Sequence, residues 1–416
     1  MKVRIRISAP KKPTVDRFFA LAFLLTASAA EAQILTAEET VRLALGRPEN
    51  ATLLTSAVTA ARGDLVDARA RRNPVFSYER EGGDGFGGDG TENFYRLEQT
   101  VDLSGRRSLA RRAAGARVAA AEHGLIDARA MLRAEVLTRF YDVLAAEAEQ
   151  AVALAYAGHL ADLEGAIAAR ERRGDASQYD LGRVRQETVR VPALRARAEA
   201  EAFAARQALA TLIGREPADE ASFDGDLLPP PAPPASALMA RAENAPRLNA
   251  LAAEAQASRY EMEAASRPMP DITLGAGIRT FDGPGGTAGV LFSASVPLPL
   301  FDRNQGGRMR EAAEARRASA RHALARERIA GDILVLANRS DALREAALAY
   351  DADARSSAAE LARIARISYG AGEIGVMEAI DALRAAYEAE RDLIKLQRDA
   401  RAAFVALEEL SPDARE

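Results

Sequence analysis

The chain has 416 residues, of which 48% are apolar but only 5% aromatic, and it contains neither Trp nor Cys. The absence of Cys excludes disulfides, thiolate metal sites and a Cys nucleophile, and argues against a lipid anchor on an N-terminal Cys. Its formal net charge of −4 makes nucleic acid an unexpected partner. Much of the apolar share is Ala, which favours closely packed helices over a thick core.

The N-terminal segment, residues 1–32, is predicted to be a secretory signal peptide. Six basic residues flank or precede the apolar run FFALAFLLTASAA, and Ala30-Glu31-Ala32 forms an A-x-A cleavage site. The alternative, a single membrane anchor, would need about 20 apolar residues to span a bilayer. Removing these residues takes away six Lys/Arg and two Asp/Glu, so 50 basic and 58 acidic residues remain and the formal net charge becomes −8.

The rest of the chain consists of two copies of one unit. The copies align at an offset that changes only from about 195 to 199, through these pairs: RRNPVFSYE (71–79) with SRPMPDITLG (266–275), RRAAGARVAAAEH (to 123) with REAAEARRASARH (to 322), and RGDASQYD (173–180) with AGEIGVME (371–378). Each copy is predicted to run helix, strand, strand, long helix, turn, helix. The domain prediction is therefore repeat 1 at 33–226, a Pro-rich linker at 227–235 and repeat 2 at 236–416.

Apolar residues alternate with small or polar ones in four predicted strands, at 74–81, 92–103, 270–280 and 288–298. Strands of about ten residues with one apolar side suit a membrane-spanning barrel. Four strands cannot close a barrel, because about eight is the smallest workable number. Several chains would have to contribute strands, or the four strands form an ordinary soluble sheet, which the strand pattern alone favours.

The predicted helices shift the balance from a soluble sheet toward a barrel to which several chains contribute strands. The long helical hairpins are predicted at 104–213 and 308–410, and the first arm of each lacks proline and could form a helix of about 100 Å. The returning arms carry Ala-rich heptad seams, and the last one carries two seams. A helix with two seams has neighbours on both sides, as in a ring of helices. Pro192 predicts a kink in the first returning arm.

Each returning arm is only half as long as its partner. The shorter helices at about 49–71 and 246–267 could stack end to end with the returning arms and make up the difference. Each unit would then pair a long rod with a split rod, with strands at one end and a turn at the other. The fold class is therefore predicted to be mainly α with a small β part, arranged as an elongated wall.

The duplicated plan resembles the TolC-like family, the outer-membrane channel components of tripartite efflux systems. Asn73-Pro74 at the entry to the first strand and the two turn motifs Gly174 to Asp180 and Gly372 to Glu378 carry the resemblance. The segments LEQTVDLSGRRSLARR and VPLPLFDRNQGG are similar to the heavy-metal (CzcC-like) branch. The lack of an acylated Cys departs from some members and leaves the mode of anchoring open.

The resemblance implies a homotrimer in the outer membrane of a Gram-negative bacterium. Three chains would share a 12-stranded transmembrane β-barrel, and their helices would form a long periplasmic α-helical barrel. The partners implied are a periplasmic adaptor (membrane fusion protein), an inner-membrane RND pump and outer-membrane lipid. The chain would be a passive exit duct for heavy-metal cations, with no cofactor. Alternatives are a multidrug or type I secretion channel, and a soluble periplasmic adaptor or coiled-coil scaffold.

Catalysis is not indicated, because the sequence has no G-x-S-x-G, P-loop or HExxH motif. His123, His159 and His322 lack partners at ligating intervals, so a metal site is not expected. Glu378 and Asp381 lie three residues apart on one helix face. The resemblance implies that acidic residues at these positions ring the constricted periplasmic entrance, where six carboxylates would favour cations. The alternative is an ordinary solvated helix start, which acids also suit.

The two turns between the helical arms are the predicted docking tips for the adaptor. Their glycines permit tight reversal of the chain with positive φ, and their small residues would let helical hairpins of a partner approach closely. The residues predicted for docking are Gly174, Asp175, Ala176, Ser177 and Asp180 in repeat 1 and Gly372, Glu373 and Gly375 in repeat 2.

Overall fold

The computed structural model describes residues 34–82, 90–215, 221–283 and 285–411, so the predicted signal peptide lies outside the described residues. The first repeat contains β1 (Ile34–Thr36), α1 (Ala37–Leu45), α2 (Pro48–Arg69), β2 (Val75–Gly82), β3 (Thr91–Val101), α3 (Arg106–Arg172), α4 (Gln178–Thr188) and α5 (Val191–Ile213). The second contains β4 (Ser222–Asp224), α6 (Ala235–Ala242), α7 (Pro246–Ala265), β5 (Ile272–Asp282), β6 (Ala288–Ser295), α8 (Gln305–Tyr350), a short π-helix termed the π-turn (Asp351–Arg355), α9 (Ser356–Ala371) and α10 (Val376–Leu410).

The prediction of a mainly α protein with a small β part is confirmed. Some element boundaries differ from the sequence prediction, and the reasons are local. Strand β6 ends at Ser295 rather than at 298, since Pro297 and Pro299 have no N–H to donate to a neighbouring strand. The predicted unbroken helix of repeat 2 is interrupted by the π-turn. Among the described helices, none combines the length and apolar content needed to cross a bilayer.

The four longer strands form one antiparallel sheet in the order β2-β3-β5-β6, so that β2 and β6 are its edges. The register places Tyr78, Tyr95, Ile278 and Val290 in one row across the sheet. The neighbouring row on the same side contains Phe76, Leu97, Ala276 and Phe292, and the large apolar side chains of both rows are exposed. The opposite side carries mostly small and charged residues, together with Val75, Phe94, Phe281 and Leu291. The sheet therefore has one continuous apolar face that this chain leaves uncovered.

The long helix α3 lies at the centre of the helical part. It packs against α2 and α5 of its own repeat and against α7 and α10 of the other repeat. The long helix of the second repeat, α8, has α7 and α10 as its main helical partners. Buried positions along these contacts are often Ala, such as Ala113, Ala198, Ala255 and Ala400. Small side chains let the helix axes approach closely, as the Ala-rich seams predict.

The Pro-rich linker crosses the helices in an ordered path that Arg401 of α10 fixes. The residue is only 8% exposed, and its guanidinium donates to the carbonyl oxygens of Asp226, Leu227 (3.1 Å) and Leu228 (2.6 Å). The same group lies 4.5 Å from the ring centroid of Tyr141 in α3. Burial lowers the pKa of Arg401. One side chain thus ties the connection between the repeats to both halves of the helical part.

The change from strand to helix in repeat 1 depends on the Asp102 carboxylate. Its Oδ1 accepts the N–H of Ser104 (2.8 Å) and its Oδ2 accepts the N–H of Arg107 (2.7 Å), so it satisfies backbone donors at the start of α3. Burial raises the pKa of Asp102, but the hydrogen bonds from Ser104 and Arg107 outweigh it and the pKa is lowered. Gly105 supplies the left-handed residue at the helix start, with φ 75°.

In repeat 2 the change from strand to helix depends on different residues. Asp302 Oδ1 accepts the N–H of Asn304 (2.9 Å), and Asn304 takes the left-handed conformation with φ 58°. The Asn304 Nδ2 group donates to the carbonyl of Ala265 (3.1 Å) at the end of α7. A Cβ at Gly307 would come within 2.1 Å of Asn304 Oδ1, so a larger residue there would displace the Asn304 side chain. Asn304 therefore combines the backbone geometry with a tie to the preceding helix.

We predict that Asn304→Val destabilises the start of α8 by roughly 1–2 kcal/mol, because a β-branched residue opposes the left-handed conformation. Hydrogen exchange followed by mass spectrometry should then show faster exchange of the first-turn amides of α8. Asn304→Gly is the control, since glycine accepts positive φ and tests the loss of the side-chain tie alone. Equal exchange in both variants would mean that backbone conformation does not limit this helix start.

Candidate functional site at the helical turns

The two turns that reverse the helical arms are built alike around one glycine each. Gly174 and Gly372 have φ values of 82° and 83°, the left-handed region that glycine enters without strain. In repeat 1 the N–H of Gly174 donates to Glu171 O (2.9 Å), and in repeat 2 the N–H of Gly372 donates to Tyr369 O (3.0 Å). In each turn the N–H of the residue after the glycine donates to the carbonyl of the residue just before the glycine's own acceptor. These bonds satisfy carbonyls that the helix end would otherwise leave unpaired.

The returning helices begin with acidic caps at equivalent positions. The Ser177 Oγ accepts the Asp180 N–H (3.1 Å) while an Asp180 oxygen accepts the Ser177 N–H (3.2 Å), a reciprocal capping box. In repeat 2 the Glu378 carboxylate accepts the N–H of Gly375. Asp180 and Glu378 therefore correspond between the repeats, and each carboxylate stabilises the start of a helix.

Arg170 holds the two turns side by side. Its Nη1 donates to the carbonyl of Tyr369 (2.6 Å), and its guanidinium carbon lies 5.3 Å from the centre of the Tyr369 ring. Burial raises the pKa of Tyr369, and the Arg170 charge partly offsets that effect. Arg170 lies near the end of α3 and Tyr369 lies near the end of α9, so this contact joins the tips of both repeats within one chain.

The predicted acidic pair lies at the start of α10, on its exposed surface. Glu378 is already engaged as the helix cap described above. Asp381 is 63% exposed, and its Oδ1 lies 3.7 Å from Nη1 of Arg384 one turn further on. Within one chain the two carboxylates share a helix side and point toward no common partner among the described residues. Both could contribute charge to an opening only where this surface meets another copy.

A buried charge network behind Asp381 was not predicted from the sequence. The Glu187 side chain is only 14% exposed, and Arg384 Nη2 lies 2.8 Å from its Oε2. The Tyr156 hydroxyl donates to Glu187 Oε1 (3.3 Å), and the Tyr156 ring stacks on Tyr387 with a centroid separation of 4.7 Å. Burial and the Glu187 charge raise the pKa of Tyr156 to about 12, so the hydroxyl stays a donor. The network links α3, α4 and α10 just behind the turns.

We predict that Arg384→Ala weakens the contact between α4 and α10 by roughly 1–3 kcal/mol, because it leaves the poorly exposed Glu187 carboxylate without its nearest cation. Hydrogen exchange in α4 should then be at least several-fold faster than in the unmodified protein. The matched control is Arg363→Ala, which removes an exposed pair with Glu360 one turn away and should leave α4 unchanged. Similar exchange in both variants would contradict a role for the network.

The histidines do not form a metal site in the part of the chain that the structure describes. The His159 Nδ1 atom lies 3.1 Å from an Arg366 nitrogen, and burial together with the Arg366 charge lowers its pKa. Across the described ranges, no three His, Asp or Glu side chains are placed to hold a metal ion. The turns therefore offer exposed small residues, helix caps and carboxylates rather than a ligand cage.

Comparison with known proteins agrees with this architecture. Residues 238–411 match the family of outer membrane efflux proteins. The chain is 27% identical over 357 residues to the cobalt-zinc-cadmium resistance protein CzcC of Cupriavidus metallidurans, covering 85% of this chain and 84% of that relative.

Solved structures share the fold at low identity. The channel CusC superposes with a TM-score of 0.76 at 17% identity, covering 91% of this chain and 92% of CusC. The outer membrane protein VceC of Vibrio cholerae gives a TM-score of 0.76 at 18% identity, covering 91% and 97%. The resemblance predicted from the sequence, to the TolC-like channels and their CzcC-like branch, is confirmed by the family match and by the relative. The matched family is one of outer membrane efflux proteins, not of enzymes.

Proposed function

We propose that this relative of the outer membrane efflux proteins forms a passive outer-membrane exit channel, as a homotrimer that extends into the periplasm. The observation that carries the proposal is the uncovered apolar face of the sheet, which is joined directly to the helical part. In that part α8 packs mainly against the split rod of its own repeat, whereas α3 packs against the split rods of both repeats. A soluble scaffold has no use for either feature.

The inner strands of the sheet have the length, and the sheet has the sidedness, of a membrane-spanning segment. Strands β3 and β5 each contain 11 residues and the edge strands β2 and β6 each contain 8, whereas a tilted strand needs about 9–11 residues to cross a bilayer. Exposed Phe76, Tyr95, Leu97, Ile278 and Phe292 lie on one face. The other face carries Glu98, Arg96, Ser293 and glycines. Apolar residues toward lipid and polar residues toward a lumen are expected of a barrel wall.

The helical wall supports more than one copy. Helix α3 contacts the split rods of both repeats, whereas the equivalent helix α8 contacts mainly the split rod of its own repeat. Exposed apolar side chains on α8, among them Leu334 and Val335, and on α2, among them Leu53 and Val66, mark the unfilled positions. Equivalent packing would place α8 of one copy against α2 and α5 of the next. Such head-to-tail contacts generate a ring.

The strands require at least two copies but do not fix the number. Strands β2 and β6 leave an unpaired edge on each side of the sheet, and pairing β6 of one copy with β2 of the next extends the wall. Two copies would supply eight strands and three would supply twelve. We propose three, by analogy with the TolC-like family, which gives a shared 12-stranded barrel continued by a periplasmic helical barrel.

The proposed substrates are heavy-metal cations, handed over by an inner-membrane RND pump through a periplasmic adaptor. The support for this substrate class is the relative whose name describes cobalt, zinc and cadmium resistance. A multidrug or type I secretion role remains the alternative outcome. Export from cells that lack the chain should fail for cobalt, zinc or cadmium and be restored by the intact gene. Restoration of drug tolerance alone would support the multidrug role instead.

The channel proposal itself is tested by fractionation. The chain should be recovered with the outer membrane and should run as a trimer in detergent that heat converts to single chains. Recovery in the soluble periplasm, without a heat-modifiable trimer, would contradict the channel and favour the adaptor or scaffold. This measurement does not depend on which substrate is exported.

We predict that Glu378 and Asp381 of three copies form the acidic periplasmic entrance. The double variant Glu378→Gln with Asp381→Asn should lose cation preference in planar bilayers, and periplasmic divalent or trivalent cations should no longer block conductance. Glutamine keeps an oxygen that can cap Gly375, so the change removes charge without removing the cap. The control is Glu314→Gln with Asp332→Asn on α8, away from the turns, which should conduct as before. An unchanged preference in the first variant would leave the carboxylates as solvated helix residues.

We predict that the turns at 174–180 and 372–378 are the docking tips for the adaptor. Gly375→Trp should abolish export while trimers remain in the membrane, because a bulky side chain keeps the partner away. A Cβ at Gly375 would lie 3.0 Å from Glu378 Oε2, so Ala176→Trp in the other turn provides a second test that leaves this cap intact. Gly158→Trp, at an open and exposed position of α3 that lies outside the proposed contact between copies, is the matched control. Normal export by both turn variants would contradict docking at the tips.

A further inference from the structure

A strongly basic cleft of about 1200 Å³ lies where the sheet gives way to the helices of repeat 1. The end of α2, the end of β3 and the start of α3 form its walls. Six arginines line it, against three carboxylates: Arg69, Arg71, Arg72, Arg106, Arg107 and Arg111, with Asp67, Asp102 and Asp271. The proposed exit channel does not account for this concentration of positive charge.

Two of the three carboxylates are already committed. Asp102 caps α3, as described above, and Asp271 is shared by Arg72 (3.3 Å) and Arg106 (3.4 Å). Among the described residues, the side chains of Arg69, Arg71 and Arg111 form no hydrogen bond or ion pair. The cleft therefore has a surplus of guanidinium groups that are free to bind an anion.

The position of the cleft indicates the kind of anion. Gln99 lies on the same side of β3 as Tyr95 and Leu97, because alternate residues of a strand share a side. Its Nε2 donates to the carbonyl of Arg72 (2.9 Å), which brings the arginine segment to the edge of the apolar face. Val101, the last residue of that face on β3, lines the cleft itself. Positive charge thus directly adjoins an exposed apolar surface.

We propose that this cleft binds the phosphate of a phospholipid head group, with the acyl chains continuing along the apolar face of the sheet. Arginine forks match phosphate oxygens in bidentate geometry, and the adjoining apolar face suits the tails of the same molecule. The proposal rests on the membrane location in the proposed function. It would give a chain without Cys a lipid contact at the periplasmic boundary of the membrane.

The test measures lipid binding by the purified full-length assembly in a neutral detergent. Fluorescent phosphatidylglycerol should bind, diacylglycerol with the same chains should bind at least tenfold more weakly, and inorganic phosphate should compete only at far higher concentration. The triple variant Arg69→Gln, Arg71→Gln, Arg111→Gln should lose at least tenfold in phosphatidylglycerol affinity. The matched control is Arg310→Gln, Arg316→Gln, Arg321→Gln, which removes three exposed arginines of α8 and should bind as the unmodified protein does.

Equal phosphatidylglycerol binding by the triple variant and the control would overturn the proposal, as would equal binding of diacylglycerol. Displacement by inorganic phosphate at equal molar concentration would also overturn it, because the cleft would then be a site for free phosphate. Size-exclusion chromatography and circular dichroism check that the triple variant is assembled and helical. The binding assay needs no transport, so its failure is distinct from failure of the fractionation test for the channel.

Discussion

The hydrogen bonds at the start of the long helices are the constraint on which the rest of the structure depends. A strand that passes into a helix must change its backbone conformation within a few residues and must satisfy the free N–H groups of the first turn. Asp102 does this by accepting the first-turn N–H of Arg107, with Gly105 as the left-handed residue, whereas in the second copy Asp302 accepts the N–H of Asn304, the left-handed residue just before α8. Because each junction fixes where a helix begins, it also fixes which helix face meets the neighbouring rods and where the turn lies some 67 residues later.

The duplication lets one packing solution serve several interfaces. Alanine at the contacts allows α3 to hold split rods on both sides, and the same residue type recurs along α10. The repeats are nevertheless not equal. A π-turn interrupts the second long helix, where Arg355 reaches both Asp351 and Glu390 (3.1 Å). The π-turn has no counterpart in α3, which is one unbroken helix.

Much of the fold could be predicted from the sequence because its signals are periodic and repeated. The strand alternation, the heptad seams and the glycines of the turns each occur twice, and Pro192 indeed lies at the break between α4 and α5.

The candidate functional site was harder to predict from the sequence than the fold. Glu378 was visible as an acid near a turn, but its capping of Gly375 depends on side-chain geometry. The Glu187 and Arg384 pair joins residues almost 200 positions apart in different repeats, and no local pattern marks such a contact. The basic cleft likewise gathers residues from 67 to 271, so that composition alone does not reveal it.

The open edges of the four-stranded sheet have a consequence for how the protein reaches its final state. Each edge carries a row of backbone N–H and C=O groups without partners, and in hydrocarbon each such group costs several kcal/mol. A lone copy therefore gains little by placing its sheet in a bilayer, however apolar the outer face. If the sheet enters a bilayer as proposed, entry and closure of the wall would be a single event whose rate rises steeply with the local concentration of chains. Production level and delivery rate, rather than the stability of one chain, would then set the yield of the assembled protein.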